Sequence, residues 1–130
     1  MAELDYAFVA DFATVEGGKL TAVGASYTMV AVSTFPVQHA FAVAGRVRAP
    51  EETETIEVSI TVKPPREAPE VIMRGTLLSH RNHVTVYDGK IGIVFAAQNV
   101  IQLTGPGLVE VFVDVDGQRE RRLAFEVLKS

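Results

Sequence analysis

The sequence predicts an all-β fold: an antiparallel β-sandwich of about nine to ten short strands, Ig-like or jelly-roll-like, with a barrel as the second choice. Apolar and polar residues alternate from Thr55 to Lys63, as in a strand with one buried and one wet face. Asp88-Gly89 and Asp116-Gly117 each separate two strand-like runs, and Asp-Gly provides the positive φ angles of a tight hairpin turn. No window carries an apolar stripe at helical spacing.

The N-terminal part of the chain divides at turn residues. Residues 4–13 alternate and are predicted to form one strand, and residues 16–19, which contain a Gly-Gly pair, form the turn after it. Residues 20–32 continue as strands on either side of a bend or bulge at Gly24. Phe35-Pro36 ends this part, because proline cannot donate a hydrogen bond to a sheet.

The remaining strands are separated by further proline and glycine turns. They are predicted at residues 41–47, 55–63, 71–78, 83–87, 91–97 and 100–103, followed by a closing hairpin at residues 105–127. In this hairpin the odd-numbered valines of residues 109–115 fall on one face at period two. That spacing predicts that the valines point into the core.

Two segments, residues 20–32 and residues 91–103, are apolar on both faces. A continuous apolar run indicates burial on both sides of a sheet, so either a neighbouring loop or another subunit must cover the second face. A homodimer with twofold symmetry is the simplest form of the second alternative. Under that alternative, Val30, Val32 and Val94 are the predicted interface residues.

Composition limits the classes of function. A chain of 130 residues fits one domain spanning residues 1–130. A net charge of -4 without a large basic cluster argues against nucleic-acid binding. The apolar runs are too short to span a bilayer, and the N-terminus has no signal-peptide pattern, so we expect no membrane association. With no cysteine, the chain is expected to be cytoplasmic.

The candidate ligand site is the segment around the histidine cluster. It consists of His80, Arg81, His83, Tyr87 and Asp88. In a loop the two histidines could converge, whereas in an extended strand they would point to opposite faces. Zinc needs three or four converging ligands, and no cysteine completes the set, so we expect no metal and no cofactor. No convergent set of catalytic residues is visible, so we expect no enzyme.

Three stretches of the chain carry a family resemblance. They are residues 2–13 with Gly18-Lys19-Leu20 and Gly24, Phe35-Pro36 ahead of residues 45–48, and Gly107 with the alternating run into Val115-Asp116-Gly117. In these stretches the chain resembles a family of small bacterial proteins, of about 130 residues, whose function is unknown. It departs from the family at Val109, where the family is often aromatic. The resemblance implies a bacterial, cytoplasmic β-sandwich and supplies no catalytic residues.

Three functions are compatible with these observations. The leading hypothesis is a non-enzymatic interaction module that binds a protein partner or itself, as a homodimer or a larger assembly. The alternative is a small-ligand-binding module or enzyme with its site in the loops around residues 79–89. The third is a structural component of a virion or another large assembly, in which both surfaces meet other chains.

Overall fold

The computed structural model describes residues 1–81 and 84–130, and these residues contain no α-helix. The strands are β1 (Glu3–Ala10), β2 (Phe12–Glu16), β3 (Lys19–Val23), β4 (Met29–Val32), β5 (Val37–Ala49), β6 (Thr55–Lys63), β7 (Val71–Leu78), β8 (Val86–Tyr87), β9 (Lys90–Leu103), β10 (Gly107–Val115) and β11 (Gln118–Lys129). One short 3-10 helix, Ser79–Arg81, lies between β7 and β8. The all-β fold class predicted from the sequence is confirmed.

The strands form two main sheets and one separate hairpin. Sheet 1 has the order β1-β5-β9-β8, and sheet 2 has the order β4-β11-β10-β6-β7. All neighbours pair antiparallel except β4, which runs parallel to β11. The remaining two strands, β2 and β3, pair with each other and, among the described residues, with no other strand. The short strand β4 therefore lies at one edge of sheet 2, and β7 lies at the other.

The predicted hairpin turns are present with the expected backbone. Asp88 and Asp116 both have a φ of 48°, and the glycines that follow them have φ values of 78° and 80°. Two consecutive positive φ angles are typical of the type I′ turn, whose twist matches that of the strands it joins. The strand predicted at residues 55–63 coincides with β6. Turn chemistry and alternation therefore identify these elements correctly.

One apolar core fills the space between the two sheets. Its members from β10 are the four valines predicted to face inward, each at most 1% exposed. Phe125 and Val127 of β11 join them from sheet 2, and Phe41 and Val43 of β5 face them from sheet 1. Period-two alternation sends these side chains to the same side of each strand, so burial of this face stabilises both sheets together.

The first predicted strand is two strands in the structure, because the chain bends at Asp11. The Asp11 N–H donates to the carbonyl of Val23 at 3.0 Å, and the Ser26 N–H donates to the carbonyl of Val9 at 2.7 Å. These bonds turn the chain away from β5 and start the β2–β3 hairpin. Residues 91–97 and 100–103, which were predicted as two strands, belong to the single strand β9. Of the strand predicted at residues 83–87, the structure describes Val86–Tyr87 as strand β8.

The β2–β3 hairpin covers part of the outer face of sheet 1. Ala42 and Ala44 of β5 are fully buried beneath it, together with Ala13 of β2. The side-chain amide of Gln98 on β9 donates to the Ala13 carbonyl at 2.6 Å. Small side chains let the hairpin approach closely. The second apolar face of this part of the sheet is therefore covered by the same chain, which was one of the two predicted alternatives.

Candidate binding surface

Beyond the hairpin, the outer face of sheet 1 carries a cluster of arginine and tyrosine side chains. We call it the Arg–Tyr face and define it by Tyr6, Arg46, Arg48 and Tyr87. Arg46 and Arg48 alternate with buried residues on β5 and so share the outward side. Antiparallel pairing places Tyr6 opposite Arg46. The β8–β9 hairpin brings Tyr87 to the same side at the end of the sheet.

Guanidinium groups and phenol rings alternate across this face. The Cζ atom of Arg48 lies 3.7 Å from the centroid of the Tyr87 ring. The Cζ atom of Arg46 lies 5.0 Å from the centroid of Tyr6 and 5.8 Å from that of Tyr87. Both arginines are therefore within the range of cation–π attraction, so the four side chains stabilise one another's positions.

Hydrogen bonds fix the two guanidinium groups in place. Arg48 donates to the carbonyls of Tyr87, Lys90 and Ile91 at 2.6, 3.2 and 3.2 Å. Arg46 donates from Nε to the Asp5 carboxylate at 2.7 Å, and this hydrogen bond raises the pKa of the Arg46 side chain. Both guanidinium groups are therefore held in a fixed orientation on the sheet.

A glycine determines how Tyr87 lies on the sheet. A Cβ atom at Gly92 would meet Cε1 of the Tyr87 ring at 3.0 Å, a tighter contact than most side chains allow. The absence of that atom lets the ring lie against the backbone of β9. Tyr87 is still 40% exposed, and the Arg46 side chain is 37% exposed. The face is thus both rigid and accessible to a partner.

An acidic border adjoins the Arg–Tyr face. Besides Asp5, Glu3 of β1 forms an ion pair with Lys90 of β9 at 2.8 Å. The hydrogen bond and the charge of Lys90 lower the pKa of the Glu3 carboxyl below its ordinary value. The outer face of sheet 1 therefore presents both signs of charge, with the stacked arginines beside two carboxylates.

The residues of the predicted ligand site fall into different surroundings. Tyr87 belongs to the Arg–Tyr face, and Asp88 occupies the positive-φ turn after it. His80 is exposed in the 3-10 helix, whose backbone also includes Arg81. His83 lies outside the described residues. Across residues 1–81 and 84–130, no three acidic or histidine side chains are grouped so as to hold a metal ion.

The three predicted interface residues do not share one surface. Val94 lies on the outer face of sheet 1, opposite Arg46 and next to the Arg–Tyr face. Val30 and Val32 on β4 are half-buried and pack against the main core. A charge at either of these two valines would disturb folding, so only Val94 could report on an interface without that complication.

Sequence reasoning missed Tyr6, Arg46 and Arg48. The available signal was Arg46-Val47-Arg48, in which two cations on one face flank a core residue. Their aromatic partners lie about forty residues away along the chain in either direction, and only strand pairing brings them together. Register of that kind is not visible in a single sequence.

A second polar pair lies at the β4 end of the core. The Tyr27 hydroxyl and Nε2 of His39 are 3.3 Å apart, and the His39 ring stacks on Phe41 with centroids separated by 5.4 Å. Burial raises the pKa of Tyr27, and the Asp11 carboxylate adds to that effect. Burial lowers the pKa of His39, while Asp11 opposes the shift. At neutral pH this pair is uncharged, which suits an aromatic end of the core.

The fold and the Arg–Tyr face define an all-β domain of two sheets around one core, with a preformed cation–π surface on sheet 1. The chain belongs to DUF6941, a family of unknown function, whose sequence pattern matches residues 5–128. A comparison with curated proteins found no match. In the described part of the chain, no helix has the length and apolar character needed to cross a membrane.

Proposed function

We propose that this protein is a non-enzymatic interaction module that binds a second protein chain through the Arg–Tyr face. The observation that carries this proposal is the alternation of two guanidinium groups with two phenol rings on an exposed sheet face. Tyrosine and arginine are the residue types that most often dominate binding energy at protein interfaces. The cluster uses both types on a rigid strand scaffold.

Preorganisation supports the same function. Arginine and tyrosine side chains usually lose conformational entropy when a partner immobilises them. Here Arg48 is already held by backbone carbonyls, and Arg46 is held by Asp5. A partner that stacks on the face therefore causes little further loss of conformational entropy in these groups, so the contacts contribute more of their energy to affinity.

Self-association is the simplest form of this interaction. A twofold contact places each surface against its own copy, so it requires a surface that complements itself. The face offers stacked cations beside the carboxylates of Glu3 and Asp5, and each group has an attractive counterpart on a second copy. On the same side of sheet 1, the hairpin exposes the cross-strand pair Phe12 and Val23, which are 49% and 58% accessible. Both features favour a homodimer.

We also propose that this association takes place in the cytoplasm. The chain contains no cysteine, so its stability does not depend on the oxidising conditions of secreted compartments. Fractionation of the native cell followed by immunoblotting tests this location, and recovery of the protein outside the cytoplasmic fraction would contradict it.

Sedimentation velocity of the full chain across micromolar concentrations tests the association. The informative variant is Tyr6→Ala, which removes one ring of the Arg–Tyr face while Asp5 still holds Arg46. The matched control is Phe112→Ala on the outer face of sheet 2, where the Arg119 Cζ atom stacks 4.2 Å from the ring centroid. We expect Tyr6→Ala to weaken dimerisation about tenfold or more, as truncation of a hot spot does, and Phe112→Ala to leave it unchanged.

Two outcomes would contradict the proposal at different points. A strict monomer at all concentrations would exclude self-association. A dimer that responds equally to both alanine substitutions would show that the Arg–Tyr face is not the contact surface.

A further inference from the structure

A groove opens between the two sheets, and it shares no lining residue with the Arg–Tyr face. Its volume is about 240 Å³, and its walls come from β6 and β7 of sheet 2 and from β9 of sheet 1. Most of the side chains that line it are apolar, including Ile60, Met73 and Phe95, and the polar residues Arg74 and Gln98 complete the lining. An opening of this kind at the edge of a sandwich is large enough to receive aliphatic side chains from outside.

The groove exists because residue 75 has no side chain. Gly75 lies on β7 opposite Val58, at a position whose neighbours Met73 and Leu77 pack against the core. A Cβ atom built at Gly75 would meet nothing within 4 Å. Its backbone does not have the positive φ that requires glycine. Glycine inside a strand often marks the close approach of another backbone or ligand. Here the space beside Gly75 is the groove, which is open to solvent.

In the described part of the chain, the strands on both sides of the groove leave much of one edge without a partner strand. Around Gly75, β7 pairs with β6 on one side. Within the same described residues, β9 pairs with β5 on one side, and on the other it pairs with β8 only at Lys90 and Ile91. Unpaired N–H and C=O groups along an edge are a template for another extended chain.

The edge of β7 carries few of the features that usually prevent pairing. Natural edge strands are protected by charges, prolines or bulges. Val71–Leu78 contains one charged residue, Arg74, and no proline, and its ladder with β6 shows no register shift. Ile72 on this strand is 50% exposed. The strand is therefore regular, largely apolar and accessible.

Arg74 indicates the charge of the occupant. It is exposed next to Gly75 and lies opposite the uncharged Ser59 on β6. In the part of the chain that the structure describes, Arg74 has no ion-pair partner, whereas Arg46, Arg119 and Arg122 each have one. On a strand added to β7, the residue opposite Arg74 points outward and the residue opposite Gly75 points into the groove.

We propose that β7 binds an extended segment of another protein by β-strand addition. An apolar side chain of that segment enters the groove beside Gly75, and an adjacent acidic residue pairs with Arg74. The added strand continues sheet 2 and closes the opening towards β9. Main-chain hydrogen bonds supply affinity in this mode of recognition, and the alternate side chains supply specificity. The site is separate from the Arg–Tyr face.

Selection of a random peptide library against the full-length protein provides the probe. We expect enrichment of alternating apolar sequences in which an Asp or Glu adjoins the central apolar residue. The synthesised peptide should slow hydrogen exchange of the β7 amides. A Cβ atom at Gly75 meets nothing within 4 Å, so we expect Gly75→Leu to extend into the groove, to keep the stability of the fold and to lower peptide affinity by about tenfold or more. Gly75→Ala, which adds only the Cβ atom, is the matched control and should retain most of the affinity.

A charge reversal gives a readout that folding cannot mimic. Repeating the selection against Arg74→Glu should enrich Lys or Arg at the position where the natural protein selects Asp or Glu. Tyr6→Ala should leave peptide affinity unchanged. Failure of the strand-addition proposal for β7 can therefore be distinguished from failure of the dimerisation proposal for the Arg–Tyr face.

Three results would overturn the proposal. The first is the absence of enriched peptides with the expected pattern. The second is peptide binding that survives Gly75→Leu or protects amides away from β7. The third is a wild-type dimer that Gly75→Leu converts to monomer, because a second copy of the chain would then be the occupant.

Discussion

Arg48 and Tyr87 form the contact that attaches the shortest strand to sheet 1. The Arg48 guanidinium lies over the Tyr87 ring at 3.7 Å and donates to the Tyr87 carbonyl at 2.6 Å. The strand β8 comprises only Val86–Tyr87 and pairs with β9 at two positions. Such a short ladder provides little stability by itself. Arg48 therefore contributes both to the fold of this end of the sheet and to the surface that it presents.

Replacing Arg48 with lysine should lower the free energy of unfolding by about 1–2 kcal/mol, because lysine keeps the charge but cannot stack its head group flat on a ring while reaching several carbonyls. Urea denaturation measures the change. Arg121→Lys is the control, since Arg121 is exposed and has no partner in the described part of the chain. Equal stability changes in the two variants would show that the Arg48 contacts contribute nothing specific.

Local chemistry explains which parts of the fold were predictable. The Asp-Gly turns and the alternation of β6 depend on residues that are adjacent in sequence, and both appear in the structure as expected. The break at Asp11 was not visible, because residues 4–13 alternate through it without a proline or glycine. The chain bends there through hydrogen bonds to Val23 and Val9, which are contacts between different strands. Patterning predicts strands well and their ends less well.

The hairpin over sheet 1 predicts a sharp difference between two alanines on one strand. Ala44 is fully buried beneath β2 and β3, whereas Ala40 faces the same side of β5 and is exposed. Ala44→Leu should destabilise the protein by about 1–3 kcal/mol, because extra methyl groups in a closely packed layer force the hairpin to move. Ala40→Leu should change stability by less than about 0.5 kcal/mol. Chemical denaturation of both variants provides the comparison, and equal values would contradict intramolecular cover.

The candidate site was less predictable than the fold because its residues come from distant strands. Tyr87 was identified from the sequence, but as a neighbour of histidines and not as a partner for Arg46 and Arg48. The pairing of β1 with β5 and of β8 with β9 creates the cluster. Likewise, the apolar groove depends on the missing side chain at Gly75. In the sequence alone, a glycine inside a strand indicates only that the strand is less stable at that position.

The two Asp-Gly turns allow the contribution of one carboxylate to be isolated. Asp88 and Asp116 share a φ of 48°, but within residues 1–81 and 84–130 only the Asp116 carboxylate accepts a hydrogen bond from a neighbouring strand, at 2.9 Å from the Glu57 N–H. Asp116→Ala should therefore cost about 1 kcal/mol more than Asp88→Ala, the typical net value of a hydrogen bond. Asp116→Asn keeps an acceptor oxygen and tolerates this backbone, so it should restore most of the difference. Thermal or urea unfolding of the three variants measures this ordering, and equal costs for both alanine variants would exclude a contribution from the bond to Glu57.

The Tyr27–His39 pair predicts how stability depends on pH. Burial lowers the pKa of folded His39 below its ordinary value of 6.5, so below that pH the unfolded chain binds a proton more readily than the folded chain. The free energy of unfolding should therefore be fully retained above pH 6.5 and fall as the pH decreases from 6.5 towards the lowered pKa. Tyr27 and the Asp11 carboxylate are the titratable groups identified around this histidine, and Asp11 limits the size of the shift.

Urea denaturation over a series of pH values tests this dependence. His39→Gln should remove the part of the slope that belongs to His39, and His80→Gln, which replaces an exposed histidine, is the control. Asp11→Asn removes the carboxylate that favours the charged imidazole, so the loss of stability should extend to lower pH than in the natural protein. A slope that is the same in His39→Gln and in the natural protein would show that His39 is not the group responsible. Because the readout is a slope, a uniform loss of packing in any of these variants leaves the comparison intact.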